Sequence, residues 1–227
     1  MNTQTTAGWY GKVSMLGDFA SRRLEPGWVE ACDRWLSGGM GTSRRLLGDA
    51  WLPAYLSAPL WRFAWAPGVV DHQWWFGVLM ASSDNVGRYF PLVVAQPRSA
   101  APVDRFSLDH LELWWRHTAD AAVRTLGEGA QLNAFEEDLM QAPPWPMARR
   151  APQVRVVQAP GREQVSVERA AALDGFLHGL AAATLLQRLE GCSLWSPHGG
   201  PEAAMACTLV EGMPTPDSFA DLLTGRW

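Results

Sequence analysis

The sequence is poor in cysteine and has no long apolar run. Its 227 residues include three cysteines, Cys32, Cys192 and Cys207, which are far apart and form no CxxC pair, so neither a disulfide framework nor a zinc cluster is predicted. No stretch of about 18 uncharged apolar residues occurs, and residues 1–7 lack the basic and apolar regions of a secretion signal. We therefore expect a cytoplasmic protein that does not insert directly into a membrane.

Positive charge is also scarce. Nineteen Lys and Arg residues stand against 23 Asp and Glu residues, for a net charge of −4. A protein that binds a phosphate backbone usually carries a basic excess, so nucleic acid is not a predicted partner. Lys12 is the only lysine. Such a bias toward arginine is typical of a GC-rich genome and carries no functional weight.

The familiar catalytic motifs are missing. The sequence contains no G-x-S-x-G, no P-loop and no H-E-x-x-H. The cluster Gly38-Gly39-Met40-Gly41 lacks the spacing of a dinucleotide fingerprint and is predicted to break a helix. His110 and His117 are too few for a metal site, and Glu136-Glu137-Asp138 indicates a solvated helix face. We predict a non-enzymatic protein with no catalytic residues, no metal and no cofactor.

Apolar and aromatic residues are abundant. Hydrophobic residues make up 48% of the chain, which is typical of a folded protein, and 13 residues are tryptophan. Indole is large and has a polar nitrogen, so some tryptophans are expected at partner surfaces. If Trp74 and Trp75 lie in a strand, they face opposite ways, and one of them packs against a helix layer or a partner.

The hydrophobic pattern predicts strands interleaved with helices. Strands are predicted at residues 8–13, 60–66, 74–80, 89–95, 154–157, 164–167, 192–195 and 203–210. Helices are predicted at residues 26–36, 44–51, 107–126, 131–140, 173–189 and 217–223. The short connections within residues 60–95 favour an antiparallel meander. The pattern therefore predicts an α/β sandwich on a mainly antiparallel or mixed sheet, with its best internal boundary at the prolines of residues 143–146.

Two loops combine acidic and basic side chains. Residues 17–23 contain Asp18 and Arg22, and residues 83–91 contain Asp84 and Arg88. One interpretation is structural, because an aspartate that caps a turn and pairs with an arginine fixes a loop. The other is recognition, because loops on rigid scaffolds often carry binding residues. The sequence leaves both open.

Several blocks resemble, in order and spacing, the TagF family of type VI secretion-associated proteins. These blocks span most of the chain: Gly8-Trp9-Tyr10-Gly11-Lys12, Gly17-Asp18-Phe19, Leu47-Gly48-Asp49-Ala50-Trp51, Ala58-Pro59-Leu60-Trp61-Arg62-Phe63, Gly77-Val78-Leu79-Met80, Asp84-Asn85-Val86-Gly87-Arg88-Tyr89-Phe90-Pro91-Leu92, Ser193-Leu194-Trp195-Ser196 and Gly212-Met213-Pro214-Thr215-Pro216-Asp217-Ser218-Phe219.

The resemblance implies a three-layer α/β/α sandwich and a cytoplasmic repressor of type VI secretion in a Gram-negative bacterium. Such a protein is expected to bind and sequester the forkhead-associated scaffold protein of the system. A metal-dependent phosphatase of the same pathway would be a separate protein. We expect a flexible N-terminus at residues 1–7 and one domain at residues 8–227, with an N-terminal core at 8–140 and a C-terminal part at 150–227 packed on it. Partner-binding residues are predicted to be Asp18, Arg22, Asp84 and Arg88.

Two alternatives remain from the sequence. A structural or accessory subunit of the secretion apparatus would expose a large apolar patch and assemble obligately. A small hydrolase would place Asp18 in a deep polar pocket with a perturbed acid.

Overall fold

One antiparallel sheet organises the protein. The computed structural model describes residues 6–145, 153–168, 170–199 and 206–227. Within them, seven strands form one sheet: β1 Gly8–Gly11, β2 Ala20–Arg22, β3 Trp61–Trp65, β4 Trp74–Met80, β5 Leu92–Arg98, β8 Cys192–Pro197 and β9 Thr208–Glu211. Their order in the sheet is β2-β1-β5-β4-β3-β8-β9, and every neighbouring pair is antiparallel. Strands β6 (Val154–Ala159) and β7 (Arg162–Val167) form a separate hairpin.

Helices cover both faces of the sheet. Helices α1 (Pro26–Leu47), α2 (Trp51–Leu56) and α6 (Phe219–Thr224) share one apolar core with the sheet, and α3 (Arg105–Arg124) and α4 (Leu132–Met140) share the other. Helix α5 (Leu173–Leu189) lies against the β6–β7 hairpin. The predicted three-layer α/β/α sandwich with an antiparallel sheet is confirmed.

The adjacent tryptophans of β4 show how the layers arise. Trp74 belongs to the core beneath α3, and Trp75 belongs to the core beneath α1. Both side chains are buried, because successive residues of a strand point to opposite faces and each face has a helix layer. The meander predicted for residues 60–95 is also confirmed, since β3 pairs with β4 and β4 with β5.

Helix α1 is longer than predicted. It runs without a break through Gly38-Gly39-Met40-Gly41, so the predicted division into two helical pieces is wrong. The reason is packing: a Cβ at Gly39 would lie 2.5 Å from the ring of Phe219 in α6, so glycine at this position allows α6 to approach. Pro53, predicted to lie beyond the helix, sits in the first turn of α2, where backbone N–H groups have no intrahelical acceptor.

Helix α3 begins at a different residue, and buries a different set of side chains, from those predicted. Its cap is Asp104, whose Oδ1 accepts a hydrogen bond of 2.9 Å from the Ser107 N–H. Ser107, the predicted cap, lies within the helix. Trp114 is buried, whereas Leu108 and Leu126 of the predicted apolar stripe are about half exposed. The apolar stripe predicted from hydrophobicity therefore differs from the face that is buried in the structure. The reason is that small residues such as Ala119, Ala121 and Ala122 make up much of that buried face.

The C-terminal part of the chain joins the same sheet. Strand β8 pairs with β3, with Phe63 opposite Trp195, and α6 packs on α1. The predicted strand at residues 203–210 is observed from Thr208, and its first residues, 203–205, lie outside the described residues. The division into a core at 8–140 and a part at 150–227, and the flexibility of residues 1–7, stay predictions.

Candidate functional site

The two polar loops singled out in the sequence meet at one end of the sheet. The first follows β1 and the second precedes β5, and β1 pairs with β5 so that Gly11 lies opposite Leu92. The N–H of Asn85 donates to the carbonyl oxygen of Leu16 at 3.1 Å. The strand pairing therefore brings residues 14–19 and 82–91 into direct contact.

Asp84 is the polar centre of the second loop. Its Oδ1 accepts hydrogen bonds from the backbone N–H groups of Val86 at 3.1 Å and Arg88 at 2.8 Å, which closes the turn. Its Oδ2 accepts from Nζ of Lys12 at 2.6 Å and from Nε of Arg88 at 2.7 Å. The structural interpretation of this loop, a capping aspartate paired with an arginine, is confirmed.

The environment of Asp84 favours the charged carboxylate. Burial alone would raise its pKa, but the hydrogen bonds from Lys12 and from the backbone and side chain of Arg88 outweigh burial, so the pKa lies below its ordinary value. The carboxylate is therefore an ionised brace and not a proton donor at neutral pH.

Lys12 is a residue of this cluster that the sequence analysis did not single out as a site residue. Its side chain is buried, with an exposed fraction of 5%, and its Nζ lies 4.8 Å from the centre of the Phe19 ring. A lysine is rarely buried unless it is paired, and here Asp84 is the partner. The available signal was that this single lysine stands among 18 arginines and directly follows a strand.

The outer side of the loops presents Arg88, Asp18 and Phe19. The Arg88 side chain is 57% exposed, and its Nη2 also donates to the carbonyl oxygen of Gly17. Asp18 is exposed, and its Oδ1 accepts a hydrogen bond of 2.8 Å from the Phe19 N–H. The hydrolase alternative requires Asp18 in a deep polar pocket, which an exposed loop residue does not provide.

Arg22 belongs to a different cluster. It lies on the edge strand β2 and not in a loop, and its Nε is 3.8 Å from Oε1 of Glu136. Glu136 is buried and also accepts hydrogen bonds from Trp9 Nε1 and Arg23, so the prediction of a solvated helix face is wrong for this residue. The structure thus places Asp84 and Arg88 next to the loop that contains Asp18. It places Arg22 elsewhere, beside Glu136 of α4.

Over the described ranges, no group of three or more His, Cys, Asp or Glu side chains is placed to hold a metal ion. In the same part of the chain, no helix is both long enough and apolar enough to cross a bilayer.

The fold and the site define a three-layer α/β/α protein that presents two braced surface loops at one end of an antiparallel sheet. The family model described as the TagF N-terminal domain, type VI secretion system-associated, matches residues 8–142, which is more than half of the chain. The chain therefore belongs to the TagF family of type VI secretion-associated proteins, and the resemblance found in the sequence blocks is confirmed.

A solved structure resembles the whole fold. The crystal structure of PA0076 from Pseudomonas aeruginosa PAO1 is 35% identical in sequence, with a TM-score of 0.77. The match covers 97% of this chain and 94% of that one. The comparison with curated proteins gave no match.

Proposed function

We propose that the protein is a cytoplasmic, non-enzymatic repressor of type VI secretion. In this proposal it binds the forkhead-associated scaffold protein of the system and keeps it from the membrane-bound assembly. The observation that carries the proposal is the match of the TagF N-terminal domain to residues 8–142. A separate metal-dependent phosphatase of the same pathway is a further proposed partner.

The geometry at the loops supports a role in binding. A protein that acts by sequestration needs an accessible surface that is already ordered, because ordering it on contact would cost affinity. Arg88 and Asp18 are exposed, while the Lys12–Asp84 pair beneath them is buried. This arrangement places exposed loop side chains above a buried ion pair, and loops held on a scaffold are where recognition residues commonly lie.

Binding of the purified scaffold protein tests the proposal. Isothermal titration with the forkhead-associated protein of the same bacterium should give saturable binding, and overproduction of the protein should lower type VI secretion. Arg88→Ala should weaken both effects. Arg22→Ala serves as the comparison, because Arg22 lies on β2 and its Nε is 3.8 Å from Oε1 of Glu136. Absence of binding by the unaltered protein would overturn the proposal.

A role as a structural subunit of the apparatus is the second candidate. The observation in its favour is a set of exposed leucines on α5, with valines exposed on the neighbouring hairpin: Leu173, Leu177, Leu185, Val156 and Val157. Apolar side chains in such numbers often mark an assembly surface. Co-purification from native cytosol separates the two candidates, since recovery of sheath, baseplate or membrane-complex proteins would favour the structural role.

A further inference from the structure

We infer that Phe19 is the anchor through which the protein docks on its partner, and that the partner offers an apolar pocket with a carboxylate at its rim. Asp18, Val86 and Arg88 frame this anchor, and the four residues together are called the Phe19 surface. The inference rests on the proposed function and specifies which side chains perform the binding.

Phe19 is an exposed aromatic side chain that is already held in place. Its ring is 4.8 Å from that of Phe90, edge to face, and 6.3 Å from that of Tyr10, both of which are buried. Even so, 47% of Phe19 is exposed. An aromatic ring fixed in one orientation loses little conformational entropy on binding and buries a large apolar area. Phe19 therefore has the properties of an interface anchor.

Val86 extends the apolar surface from the second loop. It is 67% exposed at the tip of the turn that Asp84 closes. The two loops are fixed to each other by the Asn85–Leu16 backbone hydrogen bond and by the bond from Arg88 to the Gly17 carbonyl. Because these bonds join the loops directly, Phe19 and Val86 are presented on one preformed surface and not on two independent segments.

The charge of the cluster indicates the chemistry of the partner. Lys12 and Asp84 carry opposite charges and their side chains are 5% and 0% exposed, so the two charges offset each other beneath the surface. The charges that reach solvent beside Phe19 are therefore those of the Arg88 guanidinium, which is 57% exposed, and of the exposed Asp18 carboxylate. A guanidinium at the edge of an apolar surface suits a carboxylate on the partner.

Asp84 has a different role from the one predicted for it. Its buried carboxylate cannot touch a partner, so it acts through Arg88 and the turn that it closes. Asp84 and Lys12 are positioning residues, and the contact residues are those of the Phe19 surface.

Phe106 provides a matched control for Phe19. It is 63% exposed on α3, in the helix layer on the other face of the sheet, and its ring lies against His110. Removing either phenylalanine ring takes an exposed aromatic group from the surface. Only the removal of the Phe19 ring should weaken binding of the partner.

The test is isothermal titration of the purified forkhead-associated protein into Phe19→Ala, Phe106→Ala and the unaltered protein. Phe19→Ala should raise Kd by about tenfold or more, the size expected for an interface anchor. Phe106→Ala should leave Kd unchanged. Val86→Glu is the second variant, because its side chain points into solvent and the new carboxylate would face the partner's carboxylate. It should also raise Kd, and Arg88→Gln should make Kd less sensitive to salt.

The possible failures are distinguishable. If the unaltered protein binds and Phe19→Ala and Val86→Glu bind equally well, the inference is overturned while the proposed function stands. If the unaltered protein does not bind, the proposed function is overturned and the inference with it. If Phe19→Ala also lowers the melting temperature, the inference is judged from Val86→Glu: a raised Kd supports it, and an unchanged Kd overturns it.

Discussion

Nζ of Lys12 lies 2.6 Å from Oδ2 of Asp84, and both side chains are buried. The two residues are 72 positions apart in sequence, and the pair joins the end of β1 to the turn that precedes β5. Removing Asp84 leaves the buried Lys12 charge without its carboxylate, and removing Lys12 leaves Asp84 with Arg88 as its cationic partner, whereas removing both leaves neither buried charge.

Lys12→Met should therefore destabilise the fold. We predict a melting temperature lower by about 5 °C or more, because the buried Asp84 carboxylate then keeps only the half-exposed Arg88 as a cationic partner. Asp84→Asn should have a similar effect, and the double variant should lose less than the sum of the two. Thermal unfolding followed by circular dichroism measures all three.

The matched control is an exposed ion pair. The side chains of Arg105 and Asp109 are 90% and 56% exposed, and Arg105→Gln should change the melting temperature little. Strict additivity in the Lys12/Asp84 cycle would show that the two residues are not energetically coupled.

The glycines of α1 should respond in opposite directions to alanine. A Cβ at Gly39 would lie 2.5 Å from the buried Phe219 ring, so Gly39→Ala should destabilise the fold by about 1–3 kcal/mol through overpacking. A Cβ at Gly41 would meet no described atom within 4 Å, so Gly41→Ala should stabilise the helix by about 0.5–1 kcal/mol. Urea unfolding gives both values, and equal effects at the two positions would contradict the packing argument.

His198 should make stability depend on pH. Its Nδ1 lies 3.0 Å from Nε and 2.8 Å from Nη2 of Arg62, and since the guanidinium only donates, Nδ1 must be an unprotonated acceptor. Burial lowers the pKa of His198 below its ordinary value, and the charges of Arg62 and Arg116 lower it further, whereas Asp120 and Glu112 oppose them.

The sign follows from proton binding. As the pH falls from about 6.5, the unfolded chain takes up a proton at His198 before the folded protein does, so stability present above that pH is lost. The melting temperature should decrease more between pH 7 and pH 5 for the unaltered protein than for His198→Gln, whose amide oxygen can still accept from Arg62. His178→Gln, at an exposed position of α5, should retain the pH dependence. An unchanged pH profile in His198→Gln would show that this group does not control it.

Much of the architecture could be predicted from local pattern. Runs of aromatic and β-branched residues marked β1, β3, β4 and β5, and short connections predicted that β3, β4 and β5 are antiparallel neighbours. These predictions succeed because alternation and turn length act over a few residues. Local pattern failed at Gly38-Gly39-Met40-Gly41, where contact with Phe219 from the end of the chain explains the glycine and the helix continues.

The alternation of strands and helices, the ordered blocks that place the chain in the TagF family, and the two polar loops could all be identified from local sequence. Which residues of the two loops contact each other is known only from the folded chain. The tertiary structure joined Lys12 to Asp84, exposed Phe19 and Arg88, and moved Arg22 to the Glu136 cluster. These contacts arise because β1 pairs with β5, although many residues separate the two strands in the sequence. Such a long-range strand pairing cannot be predicted from the spacing of residues along the chain.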